Sequence, residues 1–250
     1  MESLDLLYLV LVVAALTTDH LVLWPSFLRR APAQPHLARL TLWKSWMAML
    51  WGLSLAAILI WVYKARSWSL LGFQFPAGWR LWASAAVILA MIALYAHSIS
   101  RLRTMPIERK QTLQARLGIH ALMLPHTRAE LVWFTALSLT AGFCEELVFR
   151  GYLFWAPQTL VGVWGAAAVS CIAFALAHSY QGVAGVVKTG IIGALLMGSV
   201  LAFRSIVPAI IVHALIDVAQ GIVMWLVLRQ APAGASAASP QSMLASTHEA

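Results

Sequence analysis

Ala141-Gly142-Phe143-Cys144-Glu145-Glu146-Leu147-Val148-Phe149-Arg150 sets two adjacent carboxylates and one guanidinium in a run otherwise free of charge from Leu131 to Phe154. A run of this length can cross the roughly 30 Å hydrocarbon core of a bilayer, which takes about 20 helical residues. An acidic side chain at that depth costs about 2.5–3.5 kcal/mol on insertion scales, so ionisable groups retained there have partners and a task. Helical spacing sorts the three. Glu146 and Arg150 are i,i+4 and share a face, so they can pair directly. Glu145 is turned about 100° away and lacks that partner. An acid tied to arginine is a poor proton acceptor, which leaves Glu145 as the candidate base and Glu146–Arg150 as its support. A purely structural ion pair pinning two helices would account for one glutamate and the arginine, but not for the second glutamate.

The rest of the chain is of the same kind. It is 61% hydrophobic and 10% charged, with a mean hydropathy of +0.80, against about 25% charged for ordinary globular domains. The expected fold is all-α, a polytopic transmembrane helical bundle of about seven spans, at 5–27, 43–63, 81–99, 131–154, 160–178, 186–203 and 206–228. Asp19 and His20 interrupt the first. It is expected to be a retained helix, because Glu2 and Asp5 stand where a cleavable signal has a basic start. Arg204-Ser205 separates the last two, as a tight hairpin or one broken helix.

The net charge of +8 reads as topology, not nucleic-acid affinity. Arg29, Arg30, Arg39 and Lys44 lie between the first two spans, and Arg101, Arg103, Arg109, Lys110, Arg116 and Arg128 between the third and fourth. The positive-inside rule then puts loops 28–42 and 100–129 in the cytoplasm and the N-terminus outside, with membrane lipids as partners of the basic side chains. The expected location is the bacterial inner (plasma) membrane. Four regions follow: N-terminal transmembrane helices over 1–99, a basic cytoplasmic segment over 100–129, a core over 130–228 holding the clustered intramembrane charges, and a disordered tail over 229–250, Ala/Ser/Pro-rich from Ala231 to Pro240. Trp43, Trp46, Trp61, Trp68, Trp79 and Trp82 fall near span ends, where aromatic residues anchor helices at the interface. Gly182, Gly185, Gly190, Gly193 and Gly198 suit close helix approach. Cys144 and Cys171 are expected to be inert packing residues.

Two later runs carry further polar groups. His178 ends Phe174-Ala175-Leu176-Ala177-His178, with Phe174 one turn below to pack on the imidazole, and His213 and Asp217 lie i,i+4 on one face. A carboxylate beside a histidine fixes its tautomer and orientation. Taken singly, each histidine suits an ordinary hydrogen-bonded position. Packing explains the whole set of two glutamates, two histidines, an arginine and an aspartate less easily.

In order and spacing, E-E-x-x-x-R from Glu145 to Arg150 with Gly151-Tyr152, F-x-x-x-H from Phe174 to His178, and H-x-x-x-D from His213 to Asp217 resemble the CPBP family. These are the CAAX-processing and bacteriocin-processing (Abi) intramembrane endopeptidases. Pro125 through Glu130-Leu131 also resembles the family's lead-in. The resemblance covers about residues 123–221. It implies peptide-bond hydrolysis in the membrane, with Glu145 deprotonating a water, His178 holding and polarising it, and His213 and Asp217 stabilising the oxyanion. The family often has Asn at the last position. An ionised Asp217 cannot donate to an oxyanion, so it is expected to orient His213, or to donate only if protonated.

A zinc alternative stands beside this reading, with Glu145, His178 and His213 as ligands and a fourth position open; metal-free glutamate catalysis is preferred, because no H-E-x-x-H motif is present. The expected substrate is a prenylated or peptide precursor or a membrane-protein tail. A non-catalytic scaffold or immunity protein is the alternative role, and a proton-coupled transporter a third, less favoured because no inverted repeat is visible. One geometric tension remains. The chain turns near Pro157, some 12 residues after Glu145 but some 21 before His178, a depth mismatch of roughly 13 Å at 1.5 Å per residue. A helix bent or broken near Gly151 is therefore expected.

Overall fold

The computed structural model describes residues 2–229. Of the tail read as disordered, residues 230–250 lie outside the described residues. Every regular element described is helical: α1 (Ser3–Arg30), α2 (Pro35–Tyr63), α3 (Trp79–Arg103), α4 (Ile107–Leu117), α5 (Arg128–Leu153), α6 (Gln158–Ala177), α7 (Ser179–Phe203) and α8 (Val207–Leu228). All but α4 are long and apolar enough to cross a membrane, seven candidate spans in all. The chain is an integral membrane protein.

Helix α5, which carries the two glutamates, forms the centre. Leu147, Val148, Phe149 and Tyr152 are buried on all sides, and α5 packs most extensively against α8, then α2. Its start is built by Thr127, whose hydroxyl accepts from the Glu130 N–H at 3.2 Å while the Glu130 carboxylate accepts from the Thr127 N–H at 3.1 Å. Such a capping box satisfies two of the donors a helix start leaves open. Thr127→Ala should lower stability by about 1 kcal/mol, read as a lower thermal midpoint in detergent.

Two departures from the sequence reading share a cause. Helix α2 begins at Pro35, about two turns before the expected 43, so Arg39 lies inside it rather than in a loop. There Arg39 is buried and pairs with the fully buried Glu130 at 2.7 Å. The earlier start also places Trp43 and Trp46 inside the bundle, at 0% and 9% exposure, and Trp61, near the end of the helix as expected, is buried as well. They pack against protein instead of anchoring at an interface, whereas Trp68, Trp79 and Trp82 are exposed. Near the N-terminus Asp5 ties three elements together: Arg66 donates to it at 2.7 and 3.0 Å and the Tyr152 hydroxyl at 2.6 Å.

The irregularity expected after the motif takes a specific form. From Glu146 to Leu153 the chain winds as a π-helix, and Gly151 stays helical within it; the turn comes at Ala156-Pro157. A second break sits at Gly162 (φ 70°, ψ 175°) inside α6. That φ suits glycine alone among common residues. The straight run toward His178 therefore starts at Val163, and the six residues from Pro157 to Gly162 take about 9 Å off the depth mismatch. A further π-helical segment interrupts α1 from Asp19 to Leu23.

Candidate active site

The π segments of α5 and α1 wall one cavity of about 520 Å³. Glu145, His178, Asp217 and Asp19 line it amid apolar residues such as Leu50, Leu53, Val148, Phe149 and Met224. His120, from the segment before α5, and Lys188, from α7, are also on its wall. Burial holds the His120 imidazole below the ordinary histidine range.

Glu146 is the organiser beneath this surface. It is fully buried, and its Oε1 accepts from the Arg150 guanidinium at 2.9 Å and from His213 Nδ1 at 2.8 Å. A carboxylate oxygen that already receives an arginine N–H accepts from the imidazole too, so Nδ1 carries the proton. Nε2 of His213 then points elsewhere: it lies 3.9 Å from Glu145 Oε2 and 3.6 Å from Asp217 Oδ2. Both separations exceed a direct hydrogen bond, so Nε2 keeps its capacity for a third party. Spacing along α8 suggested Asp217 as the group orienting His213. The closer contact comes across the bundle from Glu146.

Arg150 is held as firmly. Its second terminal nitrogen donates to the Gly193 carbonyl at 3.1 Å, and its guanidinium lies 3.9 Å from the centroid of the Phe174 ring. Any Cβ at position 193 would sit 2.9 Å from the Phe174 ring and 3.1 Å from Arg150, so α7 presents glycine there. Phe174 also meets the His178 ring at 4.8 Å and the edge of His213 at 5.8 Å. His178 Nδ1 donates to the Phe174 carbonyl at 2.9 Å. This leaves Nε2 as the acceptor of the neutral ring. Glu145 Oε2 is buried without a hydrogen-bond partner. An orphaned carboxylate oxygen in a largely apolar cavity is one of the few exceptions to the pairing of buried polar groups.

Residues 127–219 match the family model described as Rce1-like, type II CAAX prenyl endopeptidase Rce1-like. That stretch of the chain is similar to an Rce1-like domain. Searches of the curated proteins and of the solved structures found no match. The Rce1-like domain opens at Thr127, the cap of α5, and closes two residues past Asp217. All six residues singled out by the sequence fall within it. Asp19 and Trp46 do not, although Asp19 lines the same cavity. Sequence reading noted Asp19 only as an interruption of the first span. Its signal was the same as that of Glu145, an acid within an apolar run.

The zinc alternative can be tested against the same geometry. Among the described residues no three His, Cys, Asp or Glu side chains form a group that could hold a metal ion. Glu145, His178 and His213 as placed do not fit a zinc ion. Treatment with a strong chelator should therefore leave cleavage unchanged; activity lost to chelator and restored by added zinc would reverse that reading.

Proposed function

We propose that this protein is an intramembrane endopeptidase that hydrolyses a peptide bond of a prenylated or membrane-associated substrate, using a water activated by Glu145. The observation that carries the reading is the unpartnered Glu145 carboxylate oxygen, buried 3.9 Å from an imidazole nitrogen that is itself fixed by a buried carboxylate–arginine pair. The Rce1-like domain supports the same class of chemistry.

In this mechanism Glu145 takes a proton from water as the water oxygen bonds to the scissile carbonyl carbon. His178 Nε2 accepts the second hydrogen bond of that water and orients it. The carbonyl becomes an oxyanion. His213 donates to it from Nε2 when the ring is charged, because Nδ1–H is committed to Glu146. Collapse breaks the C–N bond, and the proton held by Glu145 passes to the departing nitrogen, giving a carboxylic acid and an amine. Asp217 faces the same imidazole and stabilises its positive charge. The largely apolar lining suits a substrate with greasy side chains, while His120 and Lys188 add polar groups to the wall.

The test compares membranes containing the wild-type protein with membranes containing Glu145→Gln, by mass spectrometry of protein termini. New termini present only with the wild type are the expected result. Identical termini in both would remove the protease reading.

A further inference from the structure

Asp19 lies outside the Rce1-like domain, yet it stands at the cavity as an intramembrane acid. It is 7% exposed, lines the same cavity as Glu145 and His178, and starts the π-helical segment Asp19–Leu23. Such segments are rare and occur mostly at functional sites. Among the described residues the other one begins at Glu146, and its Val148 and Phe149 line the same cavity. Two helices thus abandon α winding where they meet one cavity, each at an acidic residue.

The side chain of Asp19 is also fixed. The Trp46 indole N–H of α2 donates to Oδ1 at 2.6 Å. The Trp46 ring packs on Tyr180 at 5.3 Å, and Tyr180 packs on His178 at 6.0 Å. Trp24, at the end of the π segment, meets the other part of Tyr180 at 5.1 Å, and His20 approaches the Ser179 hydroxyl at 3.4 Å. Helices α1 and α2 therefore grip the corner formed by residues 178–180 from outside the matched domain.

We propose that Asp19, held by Trp46, is a positioning residue that acts through His178, completing the catalytic cavity with a carboxylate supplied by the N-terminal helices. The proposal rests on the endopeptidase reading for its kinetic consequence. Its structural content, a coupling of Asp19 to His178, does not depend on turnover. A fixed carboxylate near the imidazole holds the ring in the orientation and charge distribution that keep Nε2 directed at the water. It also explains why an acid is retained at a depth where it is costly.

The test uses the full-length protein in lipid nanodiscs, with a farnesylated, internally quenched CAAX peptide as probe and Asp19→Asn, Trp46→Phe, His178→Gln and Asp19→Asn/His178→Gln as variants. Asp19→Asn keeps the oxygen that Trp46 binds and removes the charge; Trp46→Phe keeps the charge and removes the tether. Both should lower kcat, by about tenfold or more for Asp19→Asn, with KM unchanged, the mark of an interaction used in the transition state. Added to His178→Gln, Asp19→Asn should have no further effect, because residues acting through one another are not additive. Separately, the side-chain 15N signals of His178, assigned by their loss in His178→Gln, should move in Asp19→Asn. Unmoved signals would overturn the proposal whatever the activity. So would a loss of activity additive with His178→Gln, or one carried by KM. Should the wild type cleave nothing, the endopeptidase reading fails, and the nitrogen signals decide the coupling alone.

Discussion

Glu145→Gln is expected to lower kcat by about 10³-fold, within the 10²–10⁴ range that a positioned general base contributes, while the thermal midpoint in detergent stays close to that of the wild type. The two halves of this expectation rest on different contacts. Glutamine has the shape of glutamate, and Glu145 Oε2 has no hydrogen-bond partner to lose, so the fold has little reason to respond. The proton acceptor, however, is gone. Glu146→Gln serves as the internal contrast. Glu146 Oε1 joins Arg150 and His213 in a buried site, and neutralising one member of such a buried set leaves the arginine charge uncompensated. That variant should lose stability as well as activity. Two neighbouring glutamates with opposite signatures, one kinetic and one structural, are what the geometry requires. Glu145→Gln that unfolds, or that cleaves at wild-type rate, would contradict it.

Spacing along single helices was enough to separate the glutamates, because i,i+4 geometry is a property of one helix and needs no knowledge of its neighbours. The same holds for Phe174 under His178 and for the candidate spans, where length and hydropathy decide. Contacts between helices were beyond that reach. Asp217 is i,i+4 from His213, yet Glu146 holds Nδ1, since α5 and α8 approach closely enough for a side chain from one to reach the other. Arg39 looked like a loop residue because Arg39 itself and Lys44 interrupt the apolar run at the start of α2, behind Pro35. The π winding at Asp19 and Glu146 leaves no periodicity to read over five to eight residues. The break after the motif was predictable only as a mismatch of depth, and its placement at Gly162 depended on a positive φ that the sequence permits but does not demand.

Gly142→Ala should be the most damaging single methyl group in the chain. A Cβ at position 142 would lie 2.7 Å from the Ala214 Cβ, 2.8 Å from its nitrogen and 2.9 Å from its Cα. Two of these three are backbone atoms of α8, which cannot rotate away as a flexible side chain would. The helices must part, and overpacking of this kind costs about 1–3 kcal/mol. The position makes the damage functional as well. Gly142 precedes Glu145 by one turn on α5, and Ala214 follows His213 on α8, so the displacement opens the 2.8 Å contact between Glu146 and His213 and the 3.9 Å gap between His213 and Glu145. A catalytic group moved by about 1 Å can lose 10²-fold in rate, and a loss of that order is expected on cleavage of the farnesylated peptide. Removing the facing methyl group separates cause from coincidence. Ala214→Gly relieves only the 2.7 Å clash and leaves the two backbone contacts, so Gly142→Ala/Ala214→Gly should recover part of the stability and part of the rate. Full recovery would mean that the two backbones do not touch as described, and a harmless Gly142→Ala would mean that α5 and α8 do not hold the glutamates and His213 at the distances on which the proposed chemistry depends.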